Sequence, residues 1–117
     1  MSGAVGYLAG LSAENIVASQ YMRNGFGLSA QRWRGAGGEI DLIMDDGDTT
    51  VFVEVKKSRD FATAAARLSQ RQIQRLCSSA EDYLAKSPGG MNSNARFDVA
   101  LVNGQGAVEI LENAIGQ

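Results

Sequence analysis

Two segments near the middle of the chain alternate apolar residues with charged ones. The first, residues 38–43, reads GEIDLI, and the second, residues 51–56, reads VFVEVK. Alternation with a period of two is typical of strands. Between the segments lies Asp45-Asp46-Gly47-Asp48, a composition that favours a tight turn. The pattern therefore predicts two strands that pair antiparallel as a hairpin.

The charged residues of this hairpin fall on one face. Because successive side chains of a strand point to opposite faces, Glu39 and Asp41 share a face of the first strand. By the same rule Glu54 and Lys56 share a face of the second strand, and antiparallel pairing brings Asp41 close to both of them. The opposite face, predicted to be buried, carries Ile40, Leu42, Val51, Val53 and Val55.

The rest of the chain predicts two helices, one strand before the hairpin and two strands after it. An apolar stripe indicates a helix from Leu11 to about Asn24, with Ser12 as its N-cap. A longer stripe indicates a helix from about Thr63 to Ala85, with Cys77 at the border of its buried face. The remaining strands are predicted after Gly27 to about Arg34, and at Phe97–Val102 and Ala107–Leu111. This order, α-β-β-β-α-β-β, predicts an α/β (α+β) fold with helices covering a sheet.

Composition narrows the class of protein. The 117 residues suffice for a single domain, 1–117, with about the first ten and the last few residues expected to be flexible. Cys77 is the single cysteine and histidine is absent, which excludes an internal disulfide, a Cys/His zinc site and a histidine general base. No long apolar run or signal-peptide pattern occurs, so we expect a soluble, cytoplasmic protein with no membrane partner.

The clustered carboxylates suggest a metal site. Two carboxylates about 4 Å apart repel by roughly 4 kcal/mol at an effective dielectric constant near 20, so a positive charge must offset them. Mg²⁺ or Mn²⁺ prefers oxygen ligands and takes one or two carboxylates from a protein, a role that suits Asp41 and Glu54. Lys56 could then orient an attacking water or stabilise developing charge, as in hydrolysis of a phosphodiester. The alternative is a solvated face with salt bridges worth about 0.2–1 kcal/mol.

The spacing of Asp41 from Glu54-Val55-Lys56 resembles the PD-(D/E)XK signature of restriction-endonuclease-like nucleases, with Ile40 in place of the proline. With an early helix that carries Glu14 and a late Arg96-Phe97-Asp98-Val99, the chain from about Gly10 to Ala114 resembles the YraN-like family of that superfamily. The layout is also similar to that of archaeal Holliday junction resolvases. The resemblance implies a restriction-endonuclease-like core with a mixed central sheet.

The same resemblance implies roles for individual residues. Asp41, Glu54 and the main-chain carbonyl of Val55 would bind Mg²⁺ or Mn²⁺, and Lys56 would assist the attacking water. Glu39 and Glu14 would be further carboxylates of the catalytic site. For Glu14 an alternative remains, because an acid in the first turn of a helix is favoured by the helix dipole.

Three departures from the family pattern concern how a substrate is held. Ser58 stands where the family commonly has arginine, and a glycine often found shortly after it is missing. A lysine expected near the start of the next helix is replaced, with Arg71 and Gln72 in that neighbourhood.

A net charge of −2 argues against a general nucleic-acid-binding protein, but eight of the eleven cationic residues lie between Arg32 and Arg75. Arg67, Arg71 and Arg75 recur every four residues and are predicted to form one ridge of the second helix, either solvated or in contact with phosphates. Trp33 could belong to the core or stack on a base. The candidate contacts to nucleic acid are Arg34, Lys57, Arg59, Arg67, Arg71 and Arg75.

Two functions are compatible with these patterns. The first is a metal-dependent nuclease that acts on DNA; on branched DNA a homodimer would be expected, because two nicks need two sites related by a twofold axis. The second is a catalytically silent protein of nuclease fold that binds nucleic acid or a protein partner. A small-molecule phosphohydrolase ranks last, because no glycine-rich phosphate loop precedes a helix.

Overall fold

The computed structural model describes residues 2–88, 90 and 94–114, with side chains described from residue 12 onward. Within these residues three helices and five strands follow one another, and the order confirms the predicted fold class. Within the described residues, no helix is both long and apolar enough to cross a membrane. The elements are α1 Ser2–Arg23, β1 Gly27–Gly35, β2 Gly38–Asp45, β3 Thr49–Lys57, α2 Phe61–Ala66, α3 Gln70–Ala85, β4 Asn94–Val102 and β5 Val108–Leu111.

The strands form one mixed sheet in the order β1-β2-β3-β4-β5. β2 and β3 pair antiparallel, as predicted, and so do β4 and β5. β3 and β4 are parallel, and α2 and α3 make the crossover between them. Parallel neighbours require such a crossover because a tight turn can only reverse the chain.

Helices cover both faces of the sheet, so the core has two parts. One part lies between α1 and the sheet and contains Ala13, Val17, Ala18, Tyr21, Leu42, Met44, Val51, Val53, Ala100 and Val102. The other lies under α2 and α3 and contains Ile40, Ile43, Phe52, Ala64, Leu76, Ala80, Leu84, Val99 and Leu101. Trp33 packs at the edge of this second part, and so does Cys77, as predicted.

The hairpin was predicted to bury a single face, and this prediction was wrong. Leu42 packs under α1 with the two buried valines of β3, whereas Ile40 packs under α3. Pairing between β2 and β3 ends at Leu42. Beyond that residue the pairing no longer fixes which face of the sheet each β2 side chain occupies. The neighbouring strand β1 is irregular at the same level, where Arg32 has a φ of 50°.

The first helix is longer than predicted. It begins at Ser2, so Ser12 lies inside the helix and is not its N-cap. Its end agrees with the prediction: Gly25, with a φ of 94°, and Phe26 donate backbone hydrogen bonds to the carbonyls of Met22 and Tyr21. Such a left-handed glycine terminates many helices, and an apolar contact usually accompanies it. The rings of Tyr21 and Phe26 make that contact at 5.4 Å.

The long helix predicted over residues 63–85 is divided in two. α2 ends at Ala66, and α3 begins after Ser69, whose hydroxyl accepts the backbone N–H of Gln72 at 3.1 Å. The first backbone N–H groups of a helix have no acceptor within the helix, and an N-cap side chain accepts one of them. Ser69 therefore favours the start of a new helix over continuation of the old one. Arg67 caps the end of α2, so the predicted ridge of three arginines does not exist.

Asp98 of β4 has a structural role. Its side chain is fully buried, and it accepts hydrogen bonds from the Tyr21 hydroxyl at 2.6 Å and from Arg96 at 3.1 and 3.2 Å. The backbone N–H of Asn113 also donates to it. A buried carboxylate requires such partners, and here they tie α1 and the C-terminal segment to the sheet.

Candidate active site

The candidate site lies where β2 separates from β3. The pairing ends at Leu42 and Val53. Asp41 precedes Leu42 in β2 and is the first residue of that strand beyond the pairing. The carboxylate of Asp41 accepts the backbone N–H of Val55 at 2.8 Å. A side chain thus replaces the main-chain acceptor that continued pairing would have supplied, which satisfies the Val55 N–H and fixes Asp41 beside β3.

Glu54 is the most buried carboxylate of the site, with 5% of its surface exposed. Its Oε2 accepts from the Lys56 ammonium at 2.9 Å and from the Gln72 side-chain amide at 2.6 Å. Its pKa is raised to about 7, mainly by burial and next by the charge of Asp41, while Lys56 acts in the opposite direction. Glu54 therefore takes up a proton far more readily than an exposed glutamate.

Asp41 and Glu54 interact directly. Burial raises the pKa of Asp41, whereas the Val55 N–H, a hydrogen bond with Glu54 and the charge of Lys56 lower it. Two carboxylates in contact resist joint ionisation, and the ammonium of Lys56 offsets this only in part, so the pair takes up a proton at a higher pH than two separate carboxylates would.

Glu14 of α1 approaches the same place from the other side. Only 7% of its surface is exposed, and the Arg32 guanidinium donates hydrogen bonds to both of its carboxylate oxygens, at 3.2 and 3.4 Å. Burial raises its pKa, the charge of Asp41 adds to the effect, and Arg32 opposes it. Because α1 begins at Ser2, Glu14 lies about three turns inside the helix, and the helix-dipole explanation for this residue is wrong.

Glu39 is near the site but exposed to solvent. It lies opposite Arg34 in the β1–β2 pairing, and its charge raises the pKa values of both Asp41 and Glu14. The structure thus brings four predicted carboxylates into one electrostatic neighbourhood, with Asp41 in the middle.

The donor set suits a hard divalent ion bound partly by water. Among the residues that the structure describes, no three acidic, cysteine or histidine side chains converge to enclose a metal. Mg²⁺ commonly uses only one or two carboxylates and retains several waters. Asp41, Glu54 and the main-chain carbonyl of Val55 offer oxygen donors of this kind.

Sequence reasoning missed two residues of the site. Arg32 donates to Glu14 from a residue with a left-handed backbone conformation. Nothing in the local sequence predicts that conformation for an arginine. Gln72 holds Glu54, and here a signal existed: Ser69-x-x-Gln72 is a capping-box spacing that marks a helix start. In the structure the Gln72 side chain donates to Glu54 across the sheet–helix interface.

The predicted nucleic-acid contacts separate into groups. Arg71 and Arg75 lie on the first two turns of α3 and line a cavity beside Glu54's partner Gln72. Arg67 is elsewhere and donates to the carbonyl of Lys57 at 3.3 Å. The other three are exposed: Arg59 pairs with Asp60, Arg34 lies on edge strand β1, and Lys57 is the last residue of β3.

Comparison with known proteins decides the family. The model of "Uncharacterised protein family UPF0102" matches residues 13–102, a span that contains all the carboxylates described above. This chain belongs to the UPF0102 family. The resemblance to the YraN-like, PD-(D/E)XK proteins is thereby confirmed.

Other UPF0102 proteins are similar over nearly their whole length. One from Cereibacter sphaeroides is 54% identical over 114 residues, which are 97% of each chain. One from Ruegeria pomeroyi is also 54% identical, over 97% of this chain and 93% of its own. A UPF0102 protein from Roseobacter denitrificans is 48% identical over 99% of this chain and 90% of its own.

Proposed function

We propose that this UPF0102 protein is a nuclease that hydrolyses phosphodiester bonds of DNA and depends on Mg²⁺ or Mn²⁺. The observation that carries the proposal is the contact of half-buried Asp41 with buried Glu54, to which Lys56 is bound at 2.9 Å. The single ammonium of Lys56 offsets the repulsion within such a pair only in part, since the Glu54 pKa stays raised to about 7, and an ion-pair role on the surface would not require the burial of Glu54. Perturbed carboxylates next to a lysine are typical of functional sites.

Each residue has a part in the proposed reaction. Asp41 and Glu54, with the Val55 carbonyl, would hold the ion, which when bound polarises the phosphodiester and lowers the pKa of a bound water. The Lys56 ammonium, with only 17% of its side chain exposed, is fixed by Glu54. From that position it would orient the attacking water and stabilise the charge that develops on the phosphate. Gln72 and the Val55 N–H keep the two carboxylates in place.

Cleavage assays test the proposal. Labelled linear duplex, single-stranded and four-way-junction DNA, with RNA for comparison, would be incubated with Mg²⁺, Mn²⁺ or EDTA. The variants are Asp41→Asn and Lys56→Met, and the matched control is Glu109→Gln, an exposed acid on β5. We expect metal-dependent cutting by the wild type and the control, and a loss of about 10²–10⁴-fold in both site variants.

Two outcomes would contradict the proposal. Equal cutting by the wild type and both site variants would show that a contaminant or another site is responsible. No cutting of any substrate, with binding of DNA that needs no metal, would favour the catalytically silent alternative.

A further inference from the structure

A cavity opens next to the candidate active site. It has a volume of about 320 Å³ and lies between the β1–β2 turn and the start of α3. That volume is at the lower end of the range of small-ligand pockets, about 300–1,000 Å³. Its walls include Gly37, Gly38, Glu39, Arg71, Gln72 and Arg75.

The cavity and the carboxylate pair share a wall. Gln72 lines the cavity and also donates its side-chain amide to Glu54 at 2.6 Å. A group bound in the cavity is therefore separated from the proposed metal ligand Glu54 by the width of one side chain.

Close packing fixes the wall opposite the arginines. A Cβ on Gly37 would collide with the carbonyl oxygen of Arg75 and lie 2.9 Å from the Cβ of Ser78. Only a glycine allows the turn to approach α3 this closely. Ser79 adds a hydrogen bond of 2.8 Å to the carbonyl of Gly38. The turn and the helix thus keep their separation, and with it the shape of the cavity.

The cavity is suited to an anion. Arg71 and Arg75 lie one turn apart on α3, and within the described part of the chain neither guanidinium is held by an ion pair or hydrogen bond. Their two positive charges exceed the single negative charge of Glu39 on the same wall. Guanidinium groups bind phosphate oxygens with paired hydrogen bonds.

We propose that this cavity is a phosphate subsite that holds one backbone phosphate of the nucleic-acid strand, beside the phosphate that is cut. The inference rests on the proposed nuclease function and assigns two positioning residues to it. Arg71 and Arg75 bind the same phosphate, and the strand is thereby directed past Gln72 to Asp41 and Glu54. Arg34, Lys57, Arg59 and Arg67 are not part of this subsite.

Binding in the absence of metal tests the subsite separately from catalysis. Fluorescence anisotropy of labelled single-stranded and duplex oligonucleotides in EDTA would be measured over a range of salt concentrations. The variants are Arg71→Gln, Arg75→Gln and the double variant. Arg23→Gln is the matched control, because Arg23 is exposed at the end of α1 and outside the cavity.

We expect each single variant to weaken binding about tenfold, as for one lost charged hydrogen bond. The double variant should weaken binding by less than the product of the two effects, because both arginines hold one phosphate. For the double variant, the slope of log K against log salt for duplex DNA should also fall in magnitude by about 0.9, the value for one phosphate contact.

Three results would overturn the inference. In the first, the double variant binds as tightly as Arg23→Gln with an unchanged salt slope. In the second, the slope falls by about 1.8, which means two separate phosphates. In the third, inorganic phosphate binds to the wild-type cavity while oligonucleotides do not, which would make it a site for small anions.

The binding and cleavage assays together distinguish failure of the subsite from failure of the nuclease proposal. If Asp41→Asn and the wild type bind DNA equally through Arg71 and Arg75 but nothing is cut, the nuclease proposal fails and the subsite stands. If DNA is cut and the arginine variants bind and cut normally, only the subsite fails.

Discussion

Replacing Glu54 by glutamine should change how the stability of the metal-free protein depends on pH. In the folded protein the Glu54 pKa is about 7, against 4.5 for an unperturbed glutamate. Between these two pH values the folded state binds more protons than the unfolded state. The free energy of unfolding therefore falls as pH rises through this window. Glutamine cannot ionise, so the variant lacks this decrease.

The magnitude follows from the two pKa values. Each pH unit of separation corresponds to about 1.4 kcal/mol, so the difference between 4.5 and about 7 corresponds to about 3 kcal/mol. Glu54 is almost fully buried, so solvent screening does not reduce the value appreciably. A constant offset from the altered contact with Lys56 affects every pH alike and does not change the slope.

Urea unfolding of both proteins in EDTA, at several pH values from below 4.5 to above 7, measures the effect. The wild-type stability minus that of Glu54→Gln should decrease by about 3 kcal/mol across the range. Glu109→Gln, an exposed control on β5, should follow the wild type. A difference between wild type and Glu54→Gln that stays constant within about 1 kcal/mol would refute the reasoning, because it would mean that Glu54 is solvated or already neutralised.

Three further changes test other parts of the structure. Saturating Mn²⁺ should raise the melting temperature above pH 7 but much less below pH 6, where the pair holds its proton; at one hundred times Kd the gain is about 2.7 kcal/mol, and Asp41→Asn should abolish it in a thermal scan. Tyr21→Phe should destabilise the protein by about 1–3 kcal/mol in urea unfolding, because buried Asp98 loses a hydrogen bond; an unchanged midpoint would contradict that role. Ser69→Ala should cost about 0.5–2 kcal/mol by removing the cap of α3, whereas the exposed Ser78→Ala should be nearly neutral in the same assay.

Local pattern was sufficient for the hairpin and for the identity of its charged residues. The alternation of β2 and β3 and the short turn between them depend only on neighbours in the chain, so Asp41, Glu54 and Lys56 could be placed together before any packing was known. The end of α1 and the pairing of β4 with β5 were predictable for the same reason, since glycine-containing turns act locally. The cap at Ser69 was also local and was overlooked because the apolar stripe continued through it.

Packing decided everything that depends on distant parts of the chain. Gln72 reaches Glu54 across 18 residues, and Arg32 reaches Glu14 across 18, contacts that no periodicity encodes. The raised pKa of Glu54 requires burial, and burial exists because α1 and α3 cover both faces of a sheet that alternation alone predicted to be half open. The parallel pairing of β3 with β4 likewise needs the helical crossover. Side-chain spacing names the candidate groups, but desolvation and the partners across the fold determine their charge.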